Sequence, residues 1–165
     1  MKLISIIDLE KCGLINPIYE VDMLEISPEE MYNESIKMAE FCVEKKGIGL
    51  SAVQVGVPEK FFVYTKHGSG GEFFLVINPI YYPKGSRYQV DEACLSYPGK
   101  VYRMKRFRSI RVDYWTVEYN KEMKEYMYKQ VLGIMKGDDA LTFQHEVDHG
   151  NGKTIAMSIR ERRNR

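Results

Sequence analysis

Phe143-Gln144-His145-Glu146-Val147-Asp148-His149 holds two of the chain's three histidines, four positions apart, with Glu146 between them. On an α-helix those two imidazoles stand one turn apart on the same face, so both reach a single divalent metal ion, and Glu146 lies beside it, free to move protons. A helix is expected here, because Asp138 or Asp139, just after Gly137, offers an N-cap. An amphipathic helix can also carry two such histidines by accident, so the motif calls for support from elsewhere in the chain. A catalytic metal site usually has three protein ligands and an open position.

Outward from the motif, the third histidine, His67, falls in a glycine-rich turn, and the cysteines are Cys12, Cys42 and Cys94. An odd number of cysteines without a signal peptide argues for reduced thiols rather than a disulfide framework. Cys42 lies on the apolar side of an expected helix, where a thiol acts as a small hydrophobe. Cys94 differs: it sits in Asp91-Glu92-Ala93-Cys94-Leu95-Ser96-Tyr97-Pro98-Gly99, a short apolar step between charges and a Pro-Gly turn, which suits a thiolate facing a cleft.

With 165 residues and 44% hydrophobic content, the chain can bury one core and is too short for two comfortable domains. One domain, 1–165, is expected, with 1–26 as a wrapping arm and 160–165 as a flexible basic tail. The 24 basic and 23 acidic residues nearly cancel, so no general affinity for polyanions follows, and direct reading of nucleic acid is not expected. Asp8, Glu10 and Lys11 interrupt the apolar N-terminal run before a signal-peptide core forms, and no stretch approaches the roughly 20 apolar residues of a membrane span. A soluble, cytoplasmic protein without a membrane partner is expected.

Ser27-Pro28-Glu29-Glu30 reads as a capping box with proline at the first helical position. Met31, Ser35, Met38, Ala39 and Cys42 share a face of that helix, and Gly47 is expected to end it. Phe61–Tyr64 and Phe73–Ile77 flank the glycine-rich turn as a hairpin that Asn78-Pro79 closes, and Tyr81–Val90 is expected to hold another strand. Ser109–Tyr119 alternates apolar and polar residues, and Met123–Leu132 follows as a second strand. The fold class is therefore α+β: antiparallel strands packed around a C-terminal metal-binding helix, with an N-terminal helix. A phosphate-cradling role for the glycines at 47, 49 and 56 is weak, since no Gly-Lys-Ser/Thr ending is present.

Three segments in order, Gly47-Ile48-Gly49-Leu50-Ser51-Ala52-Val53-Gln54-Val55-Gly56, Glu92-Ala93-Cys94-Leu95-Ser96 and Gln144-His145-Glu146-Val147-Asp148-His149, resemble the motifs of the peptide deformylases over about Ser27 to Ile155. The resemblance implies a hydrolase that removes the formyl group from N-formylmethionine of nascent polypeptides and releases formate. It implies Cys94, His145 and His149 as ligands of one divalent ion, Fe(II) with Zn(II) as the alternative. Glu146 would be the proton carrier, and Gln54 and the Leu95 N–H would be donors to the developing oxyanion. Ile48, Gly49, Tyr97 and Leu141 are expected to bind the substrate, and Arg106 is assigned a structural role.

Some positions depart from the family's pattern. Ala93 and Ser51 stand where glycine and alanine are usual, Val101 and Lys46 replace an arginine and an acidic residue, and Gly150-Asn151-Gly152 follows His149 directly. Only about a dozen residues follow Gly152, short of the C-terminal helix that many bacterial deformylases add. That ending resembles the shorter deformylases, including those carried by phages or organelles; the lack of an organelle-type leader fits a bacterial or phage origin, so a bacterial cell or a phage-infected host is the expected setting. N-formylmethionyl peptides and a transient contact with the ribosome are the implied partners. Two other readings are a zinc endopeptidase sharing His-Glu-x-x-His and a deformylase-like binding protein without turnover. No histidine follows His149 to serve as the endopeptidase's third ligand, and Cys94, Gln54 and Glu146 argue against loss of turnover.

Overall fold

The computed structural model describes residues 17–157. The tail expected at 160–165, Cys12 and the start of the expected arm lie outside the described residues. Helix α1 (Pro28–Glu44) begins as its sequence dictates: Ser27 Oγ accepts from the Glu30 N–H at 3.3 Å, and Glu30 Oε2 accepts from the Ser27 N–H at 3.0 Å. It buries Met31, Ser35, Met38, Phe41 and Cys42. Phe41 takes the central place that Ala39, only half-buried, was expected to share.

Gly47 does not supply the left-handed residue after α1; Lys46 does, at φ 57°. Gly47 is needed for space, since a Cβ there would lie 2.7 Å from Leu95 Cδ1 and 2.8 Å from Cys42 Sγ.

Five antiparallel strands follow in sheet order: β1 (Gly49–Ser51), β2 (Phe61–Thr65), β3 (Phe73–Ala93), β4 (Val101–Asn120) and β5 (Glu125–Lys136). β2 is buried on both faces, Phe61 and Val63 entering one core with α1, and Phe62 and Tyr64 a second core on the opposite face. Its run of consecutive large apolar residues follows from that two-sided burial.

Asn78-Pro79 does not close a strand, so the separate strand expected at 81–90 is the continuation of β3. Pairing with β4 shifts between Ile77 and Ile80, where Pro79 has no N–H to give. Asn78, at φ 48°, turns its amide to the preceding arm, accepting from Val21 N–H at 2.8 Å and donating to Val21 C=O at 3.0 Å. β4 also starts earlier than the alternation at 109–119 suggests. The basic run before it obscures the pattern, yet Met104 and Arg106 point inward and are buried.

Helix α2 (Gly137–Gly150) lies against β4 and β1. Neither Asp138 nor Asp139 is its N-cap: Lys136 is, without a side-chain bond, and Gly137 at φ 56° turns the chain out of β5. Both aspartates fall in the first turn, favourable for the helix dipole, and Asp139 Oδ1 accepts from the His67 N–H at 2.7 Å. Phe143 anchors the helix among Phe62, Tyr64 and Tyr114, with ring centroids 5.3, 6.4 and 5.7 Å away. Among the described residues no helix is long and apolar enough to cross a membrane.

Candidate metal centre

Anchored by Phe143, α2 presents His145 and His149 from one face toward the turn between β3 and β4, where Cys94 sits directly after the last residue of β3. Cys94 Sγ is 3.3 Å from His149 Nε2, which is 3.2 Å from His145 Nε2, and one ligand atom from each of the three residues lies within 4.8 Å of the others. A tetrahedron with bonds of about 2.0–2.3 Å has edges of roughly 3.3–3.8 Å, so the 3.3 and 3.2 Å spacings are close to those of thiolate and imidazole donors around one ion. All three residues are buried.

His145 is oriented by a chain of charges. Its Nδ1 lies 2.8 Å from Glu92 Oε2; Arg106 donates to Glu92 Oε1 at 2.6 Å and Oε2 at 2.9 Å, and also to Asp148 Oδ2 at 2.5 Å. Fixing one ring nitrogen leaves the other for a metal, the usual arrangement of a ligating histidine. Burial works against charge on Glu92, but the bonds from His145 and Arg106 outweigh it and hold the carboxyl below its ordinary range. Burial likewise opposes the Arg106 guanidinium, and Glu92 and Asp148 more than offset it. The structural assignment of Arg106 thus becomes specific: it ties β3, β4 and α2 together. Gln144 adds a second tie, accepting from Phe107 N–H at 2.9 Å and donating to Phe107 C=O at 3.0 Å.

Glu146 faces the same site, and burial pushes its carboxyl up to about 7. The neighbouring Gly49 is explained by that carboxylate: a Cβ on Gly49 would lie 2.5 Å from Glu146 Oε1. Gln54, on a single 3₁₀ turn (Ala52–Val55), accepts from the Ser51 N–H at 2.9 Å and points Nε2 at Ser96 Oγ, 2.9 Å away, and Cys94 Sγ, 3.7 Å away.

Cys94, His145, Glu146 and Gln54 line a cleft of ≈ 420 Å³ whose walls also include Ile48, Gly49, Leu95 and Leu141, with His149 behind them. Tyr97 is not among the lining residues. The turn closed by its N–H on Cys94 C=O, at 2.9 Å, carries its ring into a third core cluster, against Tyr102 and next to Thr154. Helix α2 ends at Gly150, one residue beyond His149, in keeping with the Gly150-Asn151-Gly152 break, yet His149 is only 2% exposed.

Glu92, Ser96 and Asp148 are the site residues that the sequence left without a role. Their signal was the charge and hydroxyl inside two motifs, but pairing Glu92 with Arg106 requires the β3–β4 register, in which Glu92 faces Tyr102.

The antiparallel sheet and the Cys-His-His cluster beside a buried glutamate fit the class of metal-dependent hydrolases. Residues 5–165 match the polypeptide deformylase family. The peptide deformylase of Fusobacterium nucleatum is 34% identical over 134 residues, 81% of this chain and 70% of that protein. That of Aquifex aeolicus is 28% identical over 155 residues, 92% and 85% of the two chains. Among solved structures, a peptide deformylase from Thermotoga maritima superposes with a TM-score of 0.73 at 26% identity, covering 94% of this chain and 95% of that one. A probable peptide deformylase from Synechococcus phage S-SSM7 gives 0.74 at 27% identity, covering 95% and 98%.

The chain belongs to the polypeptide deformylase family. It is an enzyme of metal-dependent hydrolysis that removes the N-formyl group from nascent peptides, and the endopeptidase and inactive-binder readings are not favoured.

Proposed function

We propose that Cys94, His145 and His149 hold one divalent ion, Fe(II) in the working enzyme, and that the cleft beside them takes the N-terminal formylmethionine of a new chain. The observation that carries this reading is the convergence of the three donors within 4.8 Å beside Glu146 and Gln54. When bound, the ion supplies Lewis acidity, polarising a carbonyl oxygen and lowering the pKa of water to about 7.

The protein's own groups do the rest. Glu146 accepts a proton from the attacking water and returns it to the departing amine, a two-way transfer that suits a carboxyl near 7. Gln54 Nε2, held by Ser96 Oγ at the edge of the cleft, donates to the formyl oxygen as negative charge grows there, and the Leu95 N–H is the second donor. Leu141 and Ile48 give the methionine side chain apolar walls, and Gly49 leaves the room that Glu146 and the substrate need. Formate and a free amino terminus leave. Residues 1–165 work as one catalytic domain in the cytoplasm, meeting the nascent chain by transient contact with the ribosome.

The test is hydrolysis of formyl-Met-Ala-Ser beside an unformylated peptide of the same length. Formate release from the first with no cleavage of the second is expected; internal cleavage would replace this reading with an endopeptidase. Activity per bound ion in iron- and zinc-loaded protein tests the choice of metal, and equal rates would leave zinc as the simpler ion.

A further inference from the structure

β1 alternates in the usual way, so Gly49 and Ser51 face one side and Leu50 the other, where it enters the α1 core. The side that Gly49 and Ser51 share faces Glu146. Glu146 is the wall between two spaces: the cleft, and a small cavity of ≈ 10 Å³ behind it, lined by Ser51, Lys60, Phe61, Val147 and Gly150 among others. Its Oε1 lies toward Gly49. Its Oε2 is cut off from solvent with no hydrogen-bond partner; Ser51 Oγ, on a residue 1% exposed, faces the Gln54 N–H as the acceptor of a capping box but makes no hydrogen bond of full geometry, and its own proton has no acceptor.

Two buried polar atoms on one small cavity are costly unless something joins them, roughly 1–3 kcal/mol for each unsatisfied group. A space of about 10–15 Å³ takes one water when polar partners surround it. A carboxylate oxygen only accepts, a hydroxyl both donates and accepts, and a water can give one proton to each while accepting another.

We propose that Ser51 is a positioning residue for catalysis: through one trapped water its hydroxyl holds the rear oxygen of Glu146, so that the other oxygen stays turned to the cleft. The ligands Cys94, His145 and His149 are not involved, and neither is the apolar wall at Leu141 and Ile48. The effect of losing Ser51 therefore falls on turnover, not on substrate affinity or metal retention. The inference rests on Glu146 as the proton carrier.

The experiment pairs a crystal structure of the metal-loaded protein, at a resolution that shows ordered solvent, with kinetics of Ser51→Ala on formyl-Met-Ala-Ser. The expected results are a solvent peak within hydrogen-bonding distance of both Ser51 Oγ and Glu146 Oε2, and a kcat lower by about three- to tenfold, the worth of one ordinary hydrogen bond. KM and bound metal should be unchanged. A dry cavity, a wild-type kcat, or a loss expressed in KM or metal content would overturn the proposal. Glu146→Gln separates the two levels: if it abolishes turnover while Ser51→Ala does not lower kcat, only the role of Ser51 fails, whereas an active Glu146→Gln removes the reading beneath it.

Discussion

Helix α1 puts Met31, Met38, Phe41 and Cys42 against the sheet, whereas α2 puts Gln144, His145, Glu146 and His149 there beside Phe143. The first is an ordinary amphipathic helix with a capping box, held by apolar burial. The second has no side-chain cap and buries groups that would each be costly without partners. It stays in place because Phe143 fills an aromatic pocket, Gln144 bridges to β4, and Arg106 joins Asp148 to Glu92. Both helices bury apolar residues, but only α2 adds a polar network that carries the chemistry.

Substitutions can break this division at several depths. Cys94→Ala and His149→Ala should give folded protein with little bound ion and no measurable turnover, because ligands are lost while the core of α1 is untouched. Metal analysis beside circular dichroism checks this, and full metal content in either variant would move the site elsewhere. Arg106→Leu leaves Glu92 and Asp148 without their buried cation, and should cost about 3–5 kcal/mol in denaturant unfolding. Glu92→Gln keeps the size of the side chain but weakens its hold on His145. The expected effect is a metal affinity about 10- to 100-fold lower, measured by competition with a chelator. At the small end, Ser27→Ala removes the cap of α1 and should lower stability by about 1 kcal/mol with kcat unchanged. A change in kcat there would show that the two helices are coupled.

The same contrast explains what could be read before any coordinates. Helix α1 was legible from Ser27 to Cys42 because cap, proline and apolar spacing are local signals. His145 and His149 were legible because their spacing on a helix carries chemistry, and Cys94 joined them through the resemblance to the peptide deformylase motifs. What stayed hidden depended on pairing across the sheet. The long β3 was masked by Asn78-Pro79, which looks like an end but is a bulge stitched to Val21. The start of β4 was masked by arginines and lysines, although Arg106 points inward to carboxylates from two other elements. Tyr97 looked like a pocket wall because it neighbours Cys94 in sequence, and the local turn sends its ring elsewhere.

The central claim is that the proton carrier Glu146 is a separate group from the proposed ligands His145 and His149 on the same helix and Cys94 after β3. Glu146→Gln tests it most directly, with bound metal and formate release measured on the same preparation. The account predicts wild-type metal content with turnover lower by about 10²–10⁴-fold, the range of a lost general acid–base group. A variant that holds its metal and turns over at near the wild-type rate would contradict it.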